Sequence, residues 1–212
     1  MVYRIAWYIA NFLLRILFGY RVEGAENVPE TGPVILAANH LSILDPIAVG
    51  SGIRRPVVFM ARSELFKMPI LSWLLPRLYV IPVERGTGDL GAIKAAIRVL
   101  REGKAFGIFP SGTRGREGKV LPFKTGVAAI AARTGATVVP VGVIGSYEAW
   151  PYGRKIYLRR PIKVVFGKPI PVSEQKLDHQ ALDTLTQQIE AAVIALLPPK
   201  YHPDPNLAQL KV

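Results

Sequence analysis

Short, unbroken apolar runs alternate along this chain with segments whose apolar positions recur at helical spacing. The runs Val34 to Ala38, Pro56 to Met60, Leu78 to Val83, Lys104 to Phe109 and Thr137 to Ile144 are largely apolar, and the first, fourth and fifth stop at Asn39, Pro110 and Gly145. They are too short for helices and lack in/out alternation, which predicts strands buried on both faces of a sheet. Between them the pattern predicts helices from about Pro46 to Gly52, from an Asp89 cap through Ile93, Ala96, Ile97 and Leu100 to a stop at Gly103, and from Lys124 to Arg133 before Gly135. Residues 61 to 76 read as two short helical pieces with Phe66, Ile70, Leu71, Trp73, Leu74 and Leu75 clustered. Such a patch suits core, a membrane contact or the wall of an acyl groove. A further strand near Ile162 to Phe166 and a helix from about Asp178 to Leu197 follow. The alternation predicts an α/β fold, a single domain with a largely parallel central sheet flanked by helices. Residues 20–200 are assigned to it, and 201–212 to a polar tail.

Residues 1–19 are different in kind. They form an aromatic-rich apolar segment in which Arg4, Asn11 and Arg15 share roughly one helical face. The longest charge-free stretch, Ile5 to Leu14, falls short of the ~20 residues needed to cross a bilayer. The segment therefore reads as an amphipathic helix lying in a membrane interface, with Trp7 and Tyr8 near the headgroups. A cleavable leader is a rival, although no Ala-x-Ala site follows; packing on its own domain is another. Composition favours a lipid surface: a net charge of +12 accompanies 50% hydrophobic residues, and mean hydropathy is positive. That pairing suits an anionic membrane rather than nucleic acid, for which neither zinc-ligand spacing nor a basic stretch with interleaved aromatics is present. The basic stretch Arg154, Lys155, Arg159, Arg160 and Lys163 reads as solvated surface that attracts anionic lipid. There is no cysteine, and His40, His179 and His202 are scattered, so no metal is expected.

The chemistry concentrates where the first strand ends. His40 lies just past Ala38, and Asp45-Pro46 has the look of a helix start with Asp as N-cap. Residues five apart do not share a helical face, so His40 and Asp45 meet only if the chain turns between them. A strand-turn-helix supplies that turn. The carboxylate would then fix the imidazole tautomer and leave the other nitrogen free as a base. The plainer alternative is a helix cap beside an ordinary turn histidine. Arg85 and the loop 110–119, with three glycines and three basic residues, fall at the same end of the predicted sheet, where ligands of α/β folds bind. The loop is not a Walker A sequence, because Gly112 and Gly118 are one residue too far apart and Val120 stands where Ser or Thr is required.

Four blocks appear in order: Asn39-His40-Leu41-Ser42-Ile43-Leu44-Asp45, Ile81-Pro82-Val83-Glu84-Arg85, Phe109-Pro110-Ser111-Gly112-Thr113-Arg114 and Val139-Pro140-Val141. In these the chain resembles the glycerolipid acyltransferases, specifically the bacterial 1-acyl-glycerol-3-phosphate acyltransferases. The resemblance implies His40 as the base that deprotonates the acceptor hydroxyl and Asp45 as the residue orienting it. It implies Arg85, Lys67 and Arg114 at the acceptor phosphate, and Gly112 and Thr113 in acceptor binding. Backbone N–H groups of Ser111, Gly112 and Thr113 are the expected oxyanion donors. One position departs from the pattern: the third block ordinarily reads Phe-Pro-Glu-Gly-Thr-Arg, and Ser111 replaces the glutamate. The expected reaction moves an acyl chain from acyl-CoA or acyl carrier protein to a lysophospholipid, with no cofactor, at the cytoplasmic face of an inner membrane. Another lyso-lipid or glycerol 3-phosphate would fit the same clamp, and a non-catalytic lipid-binding protein is the rival class. A serine hydrolase is disfavoured, since neither Ser42 nor Ser111 lies in a Gly-x-Ser-x-Gly elbow.

Overall fold

The computed structural model describes residues 1–84, 90–115, 117–151, 153 and 159–204. Its strands are β1 (Arg21–Glu23), β2 (Val34–Ala38), β3 (Val57–Arg62), β4 (Val80–Val83), β5 (Ala105–Ile108), β6 (Thr137–Ile144) and β7 (Lys163–Phe166). They form one sheet in the order β1-β7-β6-β2-β5-β3-β4. The block from β6 to β4 is parallel throughout, β7 runs antiparallel to β6, and β1 is parallel to β7. The expected largely parallel sheet is thus observed. β2 lies mid-sheet with every residue buried, as its unbroken apolar sequence requires.

The helices are α1 (Val2–Phe18), α2 (Asp45–Ser51), α3 (Pro69–Arg77), α4 (Leu90–Arg101), α5 (Gly126–Thr134), α6 (Ser146–Ala149) and α7 (His179–Ile194). Alternate residues of β2 divide the core. Val34, Leu36 and Ala38 pack with Leu14 and Phe18 of α1, Ala48 and Val49 of α2 and Phe166. Ile35 and Ala37 face Ala96 and Leu100 of α4, Ile130 of α5, and Ile189 and Val193 of α7. One side of the sheet therefore carries α1 and α2, and the other carries α4, α5 and α7.

Two expectations are corrected. First, the polar position Asn11 of α1 is not turned outward: it is buried, and its amide donates to Ser51 O at 3.1 Å. Trp7 likewise commits its indole N–H to Ile53 O at 2.7 Å, and Val57 N–H donates to the Tyr3 hydroxyl at 3.2 Å. The docking surface presents unpaired backbone groups, so the helix turns its hydrogen-bonding residues inward and leaves Ile5, Tyr8, Ile9, Phe12, Leu13 and Ile16 exposed. Second, Asp45 does not cap α2: Leu44 is the cap residue, and the Asp45 carboxylate points back into the preceding turn. Packing continues into the first residue of the assigned tail. Tyr201 is buried, and its carbonyl accepts from Val120 N–H at 2.9 Å. The predicted Asp89 cap, Arg154, Lys155 and the tail from 205 lie outside the described residues.

Candidate active site

The first residue beyond β2 is Asn39, fully buried, whose side-chain amide behaves as an extra strand partner. Its Nδ2 donates to Val143 O at 2.9 Å and its Oδ1 accepts from Val143 N–H at 2.7 Å. That pair pins the chain to β6 and directs the next residue, His40, out of the sheet. The chain then turns tightly, and one oxygen of Asp45 collects the turn's donors. Asp45 Oδ2 accepts from His40 Nδ1 at 2.8 Å and from the backbone N–H groups of Leu41 and Ser42, both at 2.7 Å. Ser42 Oγ closes the outside of the turn by donating to Trp150 O at 2.9 Å.

The consequence for His40 is chemical. A carboxylate only accepts, so Nδ1 holds the ring proton and Nε2 is left with its lone pair. The Asp45 side chain is wholly inaccessible to solvent, whereas that of His40 keeps 18% exposure, so the ring is the one part of the pair that a substrate can reach. Among the described residues Nε2 has no partner. Phe109, at the end of β5, stacks on the imidazole with ring centroids 4.1 Å apart and planes 22° apart. Phe59 lies behind it at 6.1 Å. The Phe59 ring crosses β5 at Gly107, where an added Cβ would sit 2.1 Å from a ring carbon, so glycine there permits the stack.

The glycine-rich loop adjoins this ring directly: Gly115 N–H donates to His40 O at 2.9 Å. A side chain at 115 would meet Lys119 O at 2.0 Å and Leu41 at 2.8 Å, which accounts for the glycine. Ser111 is buried and donates its hydroxyl proton to Thr113 O at 2.9 Å, so toward a substrate it offers only an acceptor lone pair. Gly112, at φ +72°, closes a turn by donating its N–H to Phe109 O at 2.9 Å. The N–H groups of Ser111 and Thr113 therefore remain as the candidate oxyanion donors in this stretch. Thr113 is exposed and Arg114 half-buried. Lys67 is exposed at the end of the 3₁₀ turn Ser63–Lys67 that follows β3. Arg85 lies outside the described residues.

Three contributors escaped the sequence reading. Asn39 and Phe109 were quoted only as parts of blocks, and Lys124 only as the start of a helix. Lys124 in fact precedes α5, donates its N–H to Pro110 O at 3.0 Å, and runs beside Gly112, where an added Cβ would lie 3.7 Å from Nζ. Its place at the mouth of a basic, glycine-bearing loop was the available signal. Among the described residues no group of three or more His, Asp or Glu side chains could hold a metal ion.

A histidine held by a buried carboxylate, at the end of a parallel strand and beside a basic glycine loop, is an arrangement suited to taking a proton from a hydroxyl. The model of the acyltransferase family matches residues 19–144, and the chain belongs to that family. It is 30% identical to the chloroplastic 1-acyl-sn-glycerol-3-phosphate acyltransferase of Brassica napus over 74% of this chain and 46% of that protein. To the 1-acyl-sn-glycerol-3-phosphate acyltransferase of Bacillus subtilis it is 31% identical, over 74% of this chain and 77% of the relative. The crystal structure of the 1-acyl-sn-glycerophosphate acyltransferase PlsC from Thermotoga maritima superimposes with a TM-score of 0.77 at 28% identity, covering 91% of this chain and 78% of that one. The chain spans a little under half the length of the chloroplast relative.

Proposed function

We propose that this protein transfers an acyl chain from a thioester, carried by coenzyme A or by acyl carrier protein, to the free sn-2 hydroxyl of 1-acyl-sn-glycerol 3-phosphate, giving phosphatidic acid. The observation that carries this reading is the 2.8 Å contact between His40 Nδ1 and the buried Asp45, which leaves Nε2 as a base. Nε2 takes the hydroxyl proton while the oxygen attacks the thioester carbonyl. The tetrahedral oxyanion receives the Ser111 and Thr113 N–H groups, and its collapse breaks the C–S bond. The departing sulfur takes the proton back from the imidazolium, so acid and base are the same residue and no acyl-enzyme forms. Lys67, Arg114 and Lys124, together with Arg85, hold the acceptor phosphate by charge-assisted hydrogen bonds and so fix the hydroxyl beside His40.

Both acceptor and product are lipids, so the reading places the protein on an anionic membrane at the cytoplasmic face, bound on one side only. No helix among the described residues is long and apolar enough to cross a membrane. What supports attachment is the exposed apolar face of α1, rimmed by the exposed Arg4 and Arg15. Tyr3 packs against Tyr79 with ring centroids 5.5 Å apart, bringing that helix up to the Met68, Ile70 and Trp73 patch at α3.

The test is thiol release from acyl-CoA by detergent-solubilised protein, with and without lysophosphatidate, in wild type, His40→Ala and Asp45→Asn. Acceptor-dependent release should fall by about 100-fold or more in kcat for His40→Ala and by a smaller factor for Asp45→Asn. Full activity in His40→Ala, or release indifferent to the acceptor, would refute the mechanism.

A further inference from the structure

Charge is distributed unevenly over the helices on the far side of the sheet. α4 carries Lys94, Arg98 and Arg101 and no acidic residue, and the adjacent α5 adds only Arg133. On the same side α7 carries Asp183 and Glu190 and neither Lys nor Arg. The α4 cations lie at i, i+4 and i+7, hence within one narrow arc of the helix, directly opposite the buried Ala96, Val99 and Leu100. All three are exposed. The acidic Glu102, just beyond the helix, is held at 2.5 Å by Lys104. The three cations form a stripe about 10 Å long, with the Glu102 carboxylate within reach of the Arg98 charge at its far end.

Two placements decide what the stripe meets. α1, the proposed lipid contact, packs on the opposite side of the sheet, so a bilayer against α1 leaves α4 facing water. α4 also begins at the strand end of the sheet that carries His40, because β4, which precedes it, is parallel to its neighbours through to β2. The stripe thus leads from the aqueous side toward the site. A convex helix surface of this length does not enclose a small ligand, which binds in concavities, but it matches an acidic protein surface.

We infer that the Lys94, Arg98 and Arg101 stripe of α4 docks an acidic protein that carries the acyl chain as a thioester. This rests on the acyl-transfer reading above and assigns a docking face to its carrier-protein donor. The carried arm need reach no farther than the length of the helix, about 18 Å, to bring the thioester to the His40 end.

The experiment compares acyl carrier protein and acyl-CoA as donors of one acyl chain to lysophosphatidate in mixed micelles. It uses the full-length wild type and the triple variants Lys94→Gln/Arg98→Gln/Arg101→Gln and Lys94→Glu/Arg98→Glu/Arg101→Glu. KM for the carrier protein should rise several-fold in the first variant and about tenfold or more in the second, with kcat/KM for acyl-CoA within about twofold of wild type. Raising salt to about 0.3 M should weaken the wild type toward the carrier and leave the reversed variant unmoved. Binding of fluorescently labelled carrier protein reads docking without turnover. Carrier binding and KM unchanged in both variants would overturn the assignment. So would an equal loss with acyl-CoA, or loss of binding to anionic vesicles in place of carrier binding. Wild type that binds the carrier through the stripe yet acylates nothing from either donor would instead overturn the acyl-transfer reading alone.

Discussion

At the scale of single residues, the site depends on how one imidazole is held. Asp45 fixes its edge through Nδ1, and Phe109 fixes its plane by stacking at 4.1 Å. An aromatic contact of this kind contributes about 0.5–1.5 kcal/mol beyond simple burial. Phe109→Leu keeps an apolar side chain at the position but frees the ring to rock about its remaining hydrogen bond. We expect kcat to drop about 3- to 10-fold, with acceptor KM little changed; steady-state kinetics with lysophosphatidate checks this. A rise in KM without loss of kcat would instead place Phe109 in acceptor binding. His40 and Asp45 were legible in the sequence because a strand stop, a turn and a helix start fit within six residues. Phe109 and Asn39 were not legible in role. Their partners are 69 and 104 positions away, and strand order alone joins them. Ser111 was legible as a departure, but not that its hydroxyl would be turned inward to Thr113.

At the scale of elements, unbroken apolar runs identified β2, β3, β5 and β6 because strands buried on both faces have no polar positions to confuse the pattern. Periodicity also indicated which residues of α1 share a face, but not which face docks, since that depends on carbonyls at Ser51 and Ile53 that belong to another segment. α6 and the 3₁₀ turn Pro199–Tyr201 are too short to show any period, yet together they form a buckle on the site's flank. Gly145 N–H donates to the Tyr201 hydroxyl at 2.9 Å, that hydroxyl donates to Glu148 at 2.7 Å, and Lys200 pairs with Glu148 at 2.6 Å. Burial by itself would raise the Glu148 carboxyl, but the Lys200 and Tyr201 hydrogen bonds outweigh it and hold the group below the ordinary carboxylate range. Lys200 is raised, chiefly by the hydrogen bond to Glu148. The depressed Glu148 contributes stability above its unfolded pKa, and loses it as pH falls through the folded value. The raised Lys200 contributes below its unfolded pKa and loses this as pH climbs through its folded value. The buckle should therefore be strongest from about pH 5 to pH 10. Glu148→Gln should lower Tm by about 2–4 °C at neutral pH, as expected for about 1 kcal/mol in a chain of this size, and the difference from wild type should close as pH falls below about 4. Thermal melts of both proteins across pH measure it; a gap that persists into acid would show that Glu148 acts by packing alone.

At the scale of the whole molecule, the sheet separates two environments. The side bearing α1 exposes a continuous apolar helix face, in which Phe12 retains 63% of its accessibility, and Tyr3 and Tyr79 join it to a patch at α3 where Ile70 retains 78%. The opposite side exposes charged helices. On the proposed acyl-transfer reading such an uncovered surface is the lipid contact, and the membrane it binds is the source of the acceptor for His40. Docking and function are separable here, because Ile9 and Phe12 project away from the core residues Leu14 and Phe18. Ile9→Glu/Phe12→Glu removes about 2 kcal/mol or more of apolar insertion, so binding to anionic vesicles should weaken about 30-fold or more in co-sedimentation. The same double variant should acylate detergent-dispersed lysophosphatidate within about twofold of wild type, yet lose most activity on acceptor embedded in vesicles, since His40 and its partners lie elsewhere. An equal fall in both assays would mean that the substitutions disturb α1 packing, and unchanged sedimentation would assign the exposed face to something other than lipid.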